Sequence, residues 1–223
     1  MKTKRISLLT LVLLAATITS NCILPKPENV DPGTIEGSTY SNRFFGMTLT
    51  IPQKWLAHSK DELSPMQQKG AELIAGENKG LKDKVDASEA NSVQLITVSR
   101  YPLNYNGGFN ASFQCQAEKL GLLSGISNSR DYIASFKKLM AEGQGQLKYT
   151  FGDDTYTESI GGKDFLAQDA HATLGRLSLE QKVCVSLIKG YALVFVITYT
   201  STDDLDTLKD VLKSVSFSSK PRG

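Results

Sequence analysis

The stretch KVCVSLIKGYALVFVITYT, residues 182–200, decides the fold class of this 223-residue chain. Two β-branched and aromatic runs flank Lys189 and Gly190, which is the pattern of a tight turn between antiparallel strands. The second run is apolar without a break from Ala192 to Ile197, as expected of a central strand that is buried on both faces. This stretch therefore predicts the middle of an antiparallel sheet.

The flanking segments extend this pattern. TYTESIGGKDFLAQDAHATL, residues 155–174, predicts a second hairpin that turns at Gly161 and Gly162. QLKYTFG, residues 146–152, alternates apolar and polar residues as a strand does. After the sheet, STDDLDTLKDVLKSVSFS, residues 201–218, predicts a helix capped by Ser201. Its apolar stripe consists of Leu205, Leu208, Leu212 and Val215.

The first half predicts a mixture of strands and helices. YSNRFFGMTLTIPQKW, residues 40–55, alternates as a strand, ends its pairing at Pro52 and returns Trp55 to the core. A helix is predicted from Ser64, with Pro65 at its first position and Gln67 completing a capping box, followed by a loop over residues 77–91 and a strand over residues 92–101. Asn110 is predicted to cap a second helix, whose inward residues are Phe113, Ala117 and Leu120. A third helix is predicted to begin at Ser129 and to end at Gly143. The order indicates an α+β fold in which an antiparallel sheet is flanked by helices.

The N-terminus has the composition of an export signal. Lys2, Lys4 and Arg5 precede an apolar run of 13 residues from Ile6 to Ile18. This run is too short for a stable membrane anchor and is followed by small polar residues. We therefore expect residues 1–21 to be a signal peptide.

Cys22 stands where a bacterial lipoprotein signal places its lipid-modified cysteine. Asn21 departs from the usual small residue before that cysteine, and ordinary signal cleavage with secretion of a soluble protein is the alternative. The Pro- and Gly-rich residues 22–39 predict a flexible tether. A single domain then spans residues 40–218, and residues 219–223 form a C-terminal tail.

Charge excludes one broad class of partner. The chain carries 25 basic and 23 acidic residues, and removing the three cations of the leader leaves 22 basic residues and a net charge of about −1. A nearly neutral mature chain offers no general electrostatic attraction to nucleic acid. The expected partners are a membrane, through the N-terminal lipid, and an unidentified protein of the envelope.

Candidate catalytic residues are few, because the chain has only two histidines, His58 and His171. Asp169 and His171 lie two residues apart on a predicted strand and so share one face, where the carboxylate could orient the imidazole for base or metal chemistry. The alternative is a polar pair on the surface of the sheet. Asp153 and Asp154 could bind a cation, although a turn explains them better. No cofactor or metal motif is evident.

A loop and two thiols complete the candidates. YPLNYNGGFN, residues 101–110, could present aromatic side chains for recognition or could tuck them into the core. Cys115 and Cys184 form an even pair in a compartment that permits disulfides. The predicted helix turns Cys115 away from its inward stripe, which favours two separate buried thiols over a disulfide.

Two stretches together resemble the PsbP-like family, which includes the DcrB-type bacterial lipoproteins. They are YSNRFFGMTLTIPQKW and the span from SIGGKDF to GYALVFVITYTSTDDLDTLKDVLKSVSFS. The resemblance implies an antiparallel sheet between helices, and it implies the role of an accessory subunit, envelope lipoprotein or binding partner. The family shares no catalytic motif, so the resemblance assigns no site residue.

The sequence therefore predicts an exported, lipid-anchored and non-enzymatic domain of the cell envelope that binds or supports other components. The alternative function is a hydrolase or small-ligand enzyme with an unrecognised pocket near Asp169 and His171. A soluble secreted protein is the alternative location.

Overall fold

The computed structural model describes residues 30–121 and 124–218. Their core is an antiparallel sheet with a second, smaller sheet and one helix on one face, and three helices on the other. The fold class is α+β, as predicted. The predicted tail, residues 219–223, lies outside the described residues.

The large sheet contains eight strands. They are β4 (Leu56–His58), β5 (Ser92–Ser99), β6 (Ser112–Lys119), β7 (Leu147–Phe151), β8 (Tyr156–Ile160), β9 (Lys163–Leu174), β10 (Leu177–Ile188) and β11 (Tyr191–Tyr199). Their spatial order is β4-β5-β6-β11-β10-β9-β7, and β8 also pairs with β9. All pairs are antiparallel. Both predicted hairpins, at Gly161–Gly162 and at Lys189–Gly190, are present.

The small sheet covers one face of the large one. Its strands are β1 (Thr34–Glu36), β2 (Thr39–Asn42), β3 (Met47–Thr50) and β12 (Ser216–Phe217), in that spatial order. Helix α4 (Thr202–Ser214) packs beside them, with Leu208 and Leu212 buried. The aromatic rings of Phe113, Phe165 and Phe195 fill the space between the layers.

Three helices cover the opposite face. They are α1 (Lys60–Ala75), α2 (Lys79–Ala90) and α3 (Ser129–Ala141). Buried residues of all three, among them Ile74, Val85 and Phe136, pack against the valines of β10 and β11. The apolar run from Ala192 to Ile197 is buried throughout, because helices cover one side of β11 and the small sheet covers the other.

Helix α1 begins earlier than predicted. Ser59, not Ser64, caps it: the Ser59 hydroxyl accepts a hydrogen bond from the Glu62 backbone N–H, and the Glu62 carboxylate accepts one from the Ser59 N–H. This capping box outweighs the signal at Pro65, which lies inside the helix. The prediction of a loop over residues 77–91 was also wrong, because Asn78 caps α2.

The predicted helix after Asn110 is strand β6. Phe113 and Ala117 are four residues apart, a spacing that fits a strand face as well as a helix face. Cys115 lies between them, and all three side chains are fully buried against the small sheet and α4. The alternate residues of β6 are polar, so this strand has no apolar run that would mark it in the sequence.

The ordered domain begins before Tyr40. Residues 34–36, predicted as part of the tether, form β1 and pair with β2. The Tyr40 hydroxyl donates a hydrogen bond to the Pro32 carbonyl at 2.9 Å, and Val30 is largely buried. Any tether is therefore shorter than the predicted range 22–39. The predicted signal peptide and Cys22 lie outside the described residues.

Candidate functional site: the open face of the large sheet

Asp169 and His171 lie on the part of the large sheet that the small sheet leaves uncovered. Both belong to β9 and share one face, as predicted from their spacing. In the antiparallel register Asp169 faces Lys182 and His171 faces Glu180, both on β10. The Asp169 side chain is exposed and His171 is half-buried. Register thus brings four polar side chains from two strands onto one surface.

His171 is held by two residues of β10 and not by Asp169. Its Nδ1 lies 2.7 Å from Glu180 Oε1, and its Nε2 lies 3.1 Å from Ser178 Oγ. The serine, histidine and carboxylate of a hydrolase triad make the same contacts with one another. The order of the three residues along the chain varies between folds. The sequence suggested neither partner, because only the strand register places Ser178 and Glu180 beside His171.

Asp169 belongs to a second network. The Tyr156 hydroxyl lies 3.2 Å from both Asp169 carboxylate oxygens, and the Lys182 ammonium is 3.0 Å from Glu158 Oε2 and 5.3 Å from the Tyr156 ring centroid. Partial burial lowers the pKa of Lys182, but hydrogen bonds to Tyr156 and Glu158 outweigh this effect and raise it overall. Lys182 is therefore a charged structural partner and not a proton acceptor near neutral pH.

The other histidine also meets a serine. His58 Nε2 is 2.6 Å from Ser99 Oγ across strands β4 and β5. Ser99 is fully buried, and its hydroxyl donates to the Tyr101 carbonyl at 2.7 Å. Burial lowers the pKa of His58, and the nearby Glu62 opposes the shift. Because the only Ser99 hydroxyl proton is engaged and no substrate can reach it, this pair is structural.

The loop of residues 101–110 has most of its aromatic surface occupied by its own residues. The rings of Tyr101 and Tyr105 stack at 4.1 Å, and the Arg100 guanidinium lies 5.5 Å from the Tyr101 ring centroid. A Cβ on Gly107 would lie 2.3 Å from the Tyr105 hydroxyl, so a larger residue there would displace the Tyr105 ring. Asn110 is buried and donates to the Tyr101 carbonyl. These contacts support the interpretation as a structural connection.

The acidic pair Asp153 and Asp154 lies exposed in the turn between β7 and β8. Among residues 30–121 and 124–218, no group of three His, Cys, Asp or Glu side chains is arranged to hold a metal ion.

The two thiols are free and buried. Cys115 of β6 and Cys184 of β10 both pair with Phe195 of β11, which lies between them. Two strand spacings separate their Cα atoms by about 9.6 Å, which exceeds the limit of about 7 Å for a disulfide. The interpretation as separate buried thiols is confirmed, although the predicted helix used to reach it was wrong.

Polar side chains also lie inside the helix-covered face. All four alternate residues of β6 on that side are buried: Ser112, Gln114, Gln116 and Glu118. Glu118 Oε2 accepts a hydrogen bond from the Tyr132 hydroxyl at 2.8 Å. Burial raises the pKa of Glu118 to about 8, against the hydrogen bonds from Tyr132 and Ser88. This carboxyl is therefore neutral inside the protein over most of the physiological range.

Within the described part of the chain, no helix is long and apolar enough to cross a membrane.

Comparison with known proteins yields similarity of structure alone. No protein-family model and no curated protein sequence matches the chain. Among solved structures, the chain is similar to the solution structure of cyanobacterial PsbP (CyanoP) from Synechocystis sp. PCC 6803, at 14% identity and a TM-score of 0.48, over 83% of this chain and 98% of that one. It is also similar to LpqN, described as involved in cell envelope biogenesis of Mycobacterium tuberculosis, at 14% identity and a TM-score of 0.34, over 83% and 85% of the two chains. A PsbP is thus among the solved structures to which the chain is similar.

Proposed function

We propose that this chain is an exported, lipid-anchored and non-enzymatic domain that acts at the cell envelope as a binding or accessory protein. One observation carries the proposal: a basic and apolar leader, residues 1–21, ends directly before Cys22. Cys22 lies eight residues along the chain before Val30, which is the first described residue and is buried. A folded domain on such a short linker is held at the membrane surface.

The polar residues of the open face support a non-enzymatic role. Ion pairs and hydrogen bonds within the two networks occupy the charged ends of Lys182 and Glu158 and both ring nitrogens of His171. Such cross-strand pairs stabilise a sheet surface without any ligand. The envelope role that the LpqN description names for that protein is the kind of role proposed here.

Membrane fractionation of cells that express the full chain tests the proposal. The wild-type protein is expected in the membrane fraction and is expected to incorporate a labelled fatty acid. The Cys22→Ser variant is expected to lose both properties. Cys115→Ser serves as the control, because this buried thiol lies in the folded domain and its loss leaves the label in place. A wild-type protein that is soluble and unlabelled would contradict the proposal.

A second candidate function is favoured by the contacts of Ser178, His171 and Glu180, which match those of a serine hydrolase triad. However, Ser178 lies in a regular strand that pairs with β9. Hydrolases place the nucleophile on a sharp turn whose free backbone N–H groups stabilise the oxyanion. Because of this difference, we favour the function of a binding protein over that of a hydrolase.

Labelling with a fluorophosphonate, which reacts with activated serines, distinguishes the two candidates. The binding protein is expected to remain unlabelled and to show no esterase activity toward p-nitrophenyl acetate above that of Ser178→Ala. Labelling that disappears in both Ser178→Ala and His171→Ala, but persists in Ser186→Ala, would establish the hydrolase instead.

A further inference from the structure

We propose that one end of the domain is a docking surface for anionic lipid headgroups. The surface, here termed the tether end, comprises Val30, the turn of residues 43–46, the turns at Gly161–Gly162 and Lys189–Gly190, and Ser218. The inference deepens the proposed function and rests on it in part, because a lipid on Cys22 would hold this end against the bilayer. The surface itself is testable without the lipid.

The N-terminal chain enters the domain at this end. Strand β1 runs antiparallel to β2, with Thr34 opposite Ser41, so the residues before β1 lie beside the turn that follows β2. The Asn42 side chain fixes them there by donating to the Asp31 carbonyl at 2.7 Å. The C-terminal chain leaves from the same place, because the Ser218 N–H donates to the Gly46 carbonyl at 2.8 Å.

Two hairpin turns of the large sheet also lie at the tether end. A Cβ on Gly161 would lie 2.8 Å from the Phe217 ring and 2.9 Å from the Val215 carbonyl, which shows how closely the β8–β9 turn abuts β12. Lys189, in the β10–β11 turn, donates a hydrogen bond to the Phe44 carbonyl. Turns from both sheets thus form one continuous surface.

Cations and aromatic rings alternate on this surface. Arg43, Lys163 and Lys189 are exposed. The Lys189 ammonium lies 5.1 Å from the Phe44 ring centroid, and the Lys163 ammonium lies 5.4 Å from that of Phe217. Aromatic rings beside basic side chains are typical of protein surfaces at the membrane interface.

Two exposed acids, Asp31 and Asp164, oppose the cations of the tether end. Asp31 accepts a hydrogen bond from the Gly33 backbone N–H at 2.8 Å. Arg43, Lys163 and Lys189 outnumber these two acids by one, so the described surface is basic although the mature chain as a whole is close to neutral.

A small cavity gives this surface a place for a headgroup. It has a volume of about 90 Å³ and is lined by Ser41, Asn42, Arg43, Gly46, Met47, Thr48, Ser216 and Ser218. A guanidinium beside hydroxyl groups is a usual environment for a phosphate group. In the wall of this cavity, the hydroxyl groups of Thr48 and Ser216 are hydrogen-bonded to each other at 2.8 Å.

Chain length restricts which end of the domain can reach the bilayer. Eight residues from Cys22 to Val30 span at most roughly 28 Å. The opposite end, at the Gly175–Arg176 turn, is separated from the tether end by the 12 residues of β9, which extend over about 36 Å. A lipid on Cys22 would therefore present the tether end, and not the opposite end, to the headgroups.

The test uses the mature chain from residue 22 with Cys22→Ser, so that no lipid contributes. Its binding to vesicles of phosphatidylcholine with 30% phosphatidylglycerol is measured by flotation and compared with pure phosphatidylcholine. The Arg43→Glu/Lys163→Glu variant reverses two cations of the tether end. The Arg176→Glu/Lys148→Glu variant makes the same charge change at the opposite end, where both residues are exposed.

Binding to the anionic vesicles is expected to fall at least tenfold in the Arg43→Glu/Lys163→Glu variant, since each cation contributes roughly fivefold near an anionic surface. The opposite-end variant is expected to stay within threefold of the parent chain. Equal losses in both variants, or equal binding to neutral and anionic vesicles, would overturn the proposal. These outcomes do not depend on lipidation, which the fatty-acid label tests separately.

A competition experiment separates a lipid surface from a site for free anions. Inorganic phosphate at 10 mM, with ionic strength held constant, is expected to leave vesicle binding unchanged within twofold. If phosphate releases the chain from the vesicles and chloride at the same ionic strength does not, the cavity is a site for a soluble anion and the lipid proposal is overturned.

Discussion

At the scale of single residues, two serines directly opposite each other in β5 and β6 have different surroundings. Ser99 and Ser112 are paired in register and both are fully buried. The Ser99 hydroxyl contacts His58 and the Tyr101 carbonyl. The Ser112 hydroxyl has no hydrogen-bond partner among the described residues. A buried hydroxyl without a partner costs stability, whereas a bonded one contributes to it.

Alanine substitutions at these serines should therefore have opposite effects. We expect Ser112→Ala to raise the free energy of unfolding by about 1 kcal/mol, because it removes an unpaired polar atom. Ser99→Ala, the matched control, should lower it by about 1–2 kcal/mol. Urea denaturation of both variants measures this difference. A loss of stability in Ser112→Ala would show that the hydroxyl is bonded, for instance by an ordered water.

The buried carboxyl of Glu118 predicts a pH dependence of stability. Burial raises its pKa from 4.5 to about 8 in the folded state. The unfolded chain then releases this proton first, so the contribution of Glu118 to stability is fully present below about pH 4.5 and is lost as the pH rises toward 8. The slope from one such group is about 1.4 kcal/mol per pH unit.

We expect Glu118→Gln to remove this loss, because the amide keeps a hydrogen-bond partner for Tyr132 but does not titrate. Its unfolding free energy, measured by urea denaturation from pH 5 to 8, should fall less steeply than that of the wild type. The exposed Glu77→Gln is the control and should keep the wild-type slope. Parallel curves for Glu118→Gln and the wild type would show that the carboxyl is already ionised in the folded protein.

At the scale of elements, helix α4 anchors the small sheet to the large one. Leu208 is fully buried between them, whereas Leu205, on the same helix, remains half-exposed. Leu208→Ala should lower the free energy of unfolding by about 2–5 kcal/mol, because it leaves a cavity in the core. Leu205→Ala should cost less than about 1.5 kcal/mol. Equal losses would mean that α4 packs with a different face inward.

Elements with a strong local signal could be predicted from the sequence, and others could not. Glycine turns and unbroken apolar runs identified the hairpins at Gly161–Gly162 and Lys189–Gly190. Strand β6 was missed because Ser112, Gln114, Gln116 and Glu118 make its covered face polar. Helix α2 was missed because its inward residues are few. In both cases tertiary burial, and not the local pattern, determines the element.

The candidate site depends on contacts that a sequence does not contain. Spacing alone placed Asp169 and His171 on one face, and the structure agrees. Their actual partners, Tyr156, Ser178 and Glu180, come from neighbouring strands. Only the register of β9 with β8 and β10 brings these side chains together, and register is set by turns and by the core on the other face.

At the scale of the whole molecule, the domain has two different ends. Both chain ends of the described domain, Val30 and Ser218, lie at the tether end. The Gly175–Arg176 turn and the loop of residues 101–110 lie at the opposite end of the strands. A domain that is anchored at one end presents the other to the surrounding compartment, where an accessory or binding protein would meet its partner.

In the proposed function, Cys22 becomes the lipid-modified N-terminus of the mature protein. The most direct measurement is mass spectrometry of the N-terminal peptide of the protein purified from membranes of expressing cells. We expect a peptide that begins at Cys22 and carries a diacylglycerol on its sulfur. A peptide that begins at another residue, with Cys22 present as an unmodified thiol, would contradict it.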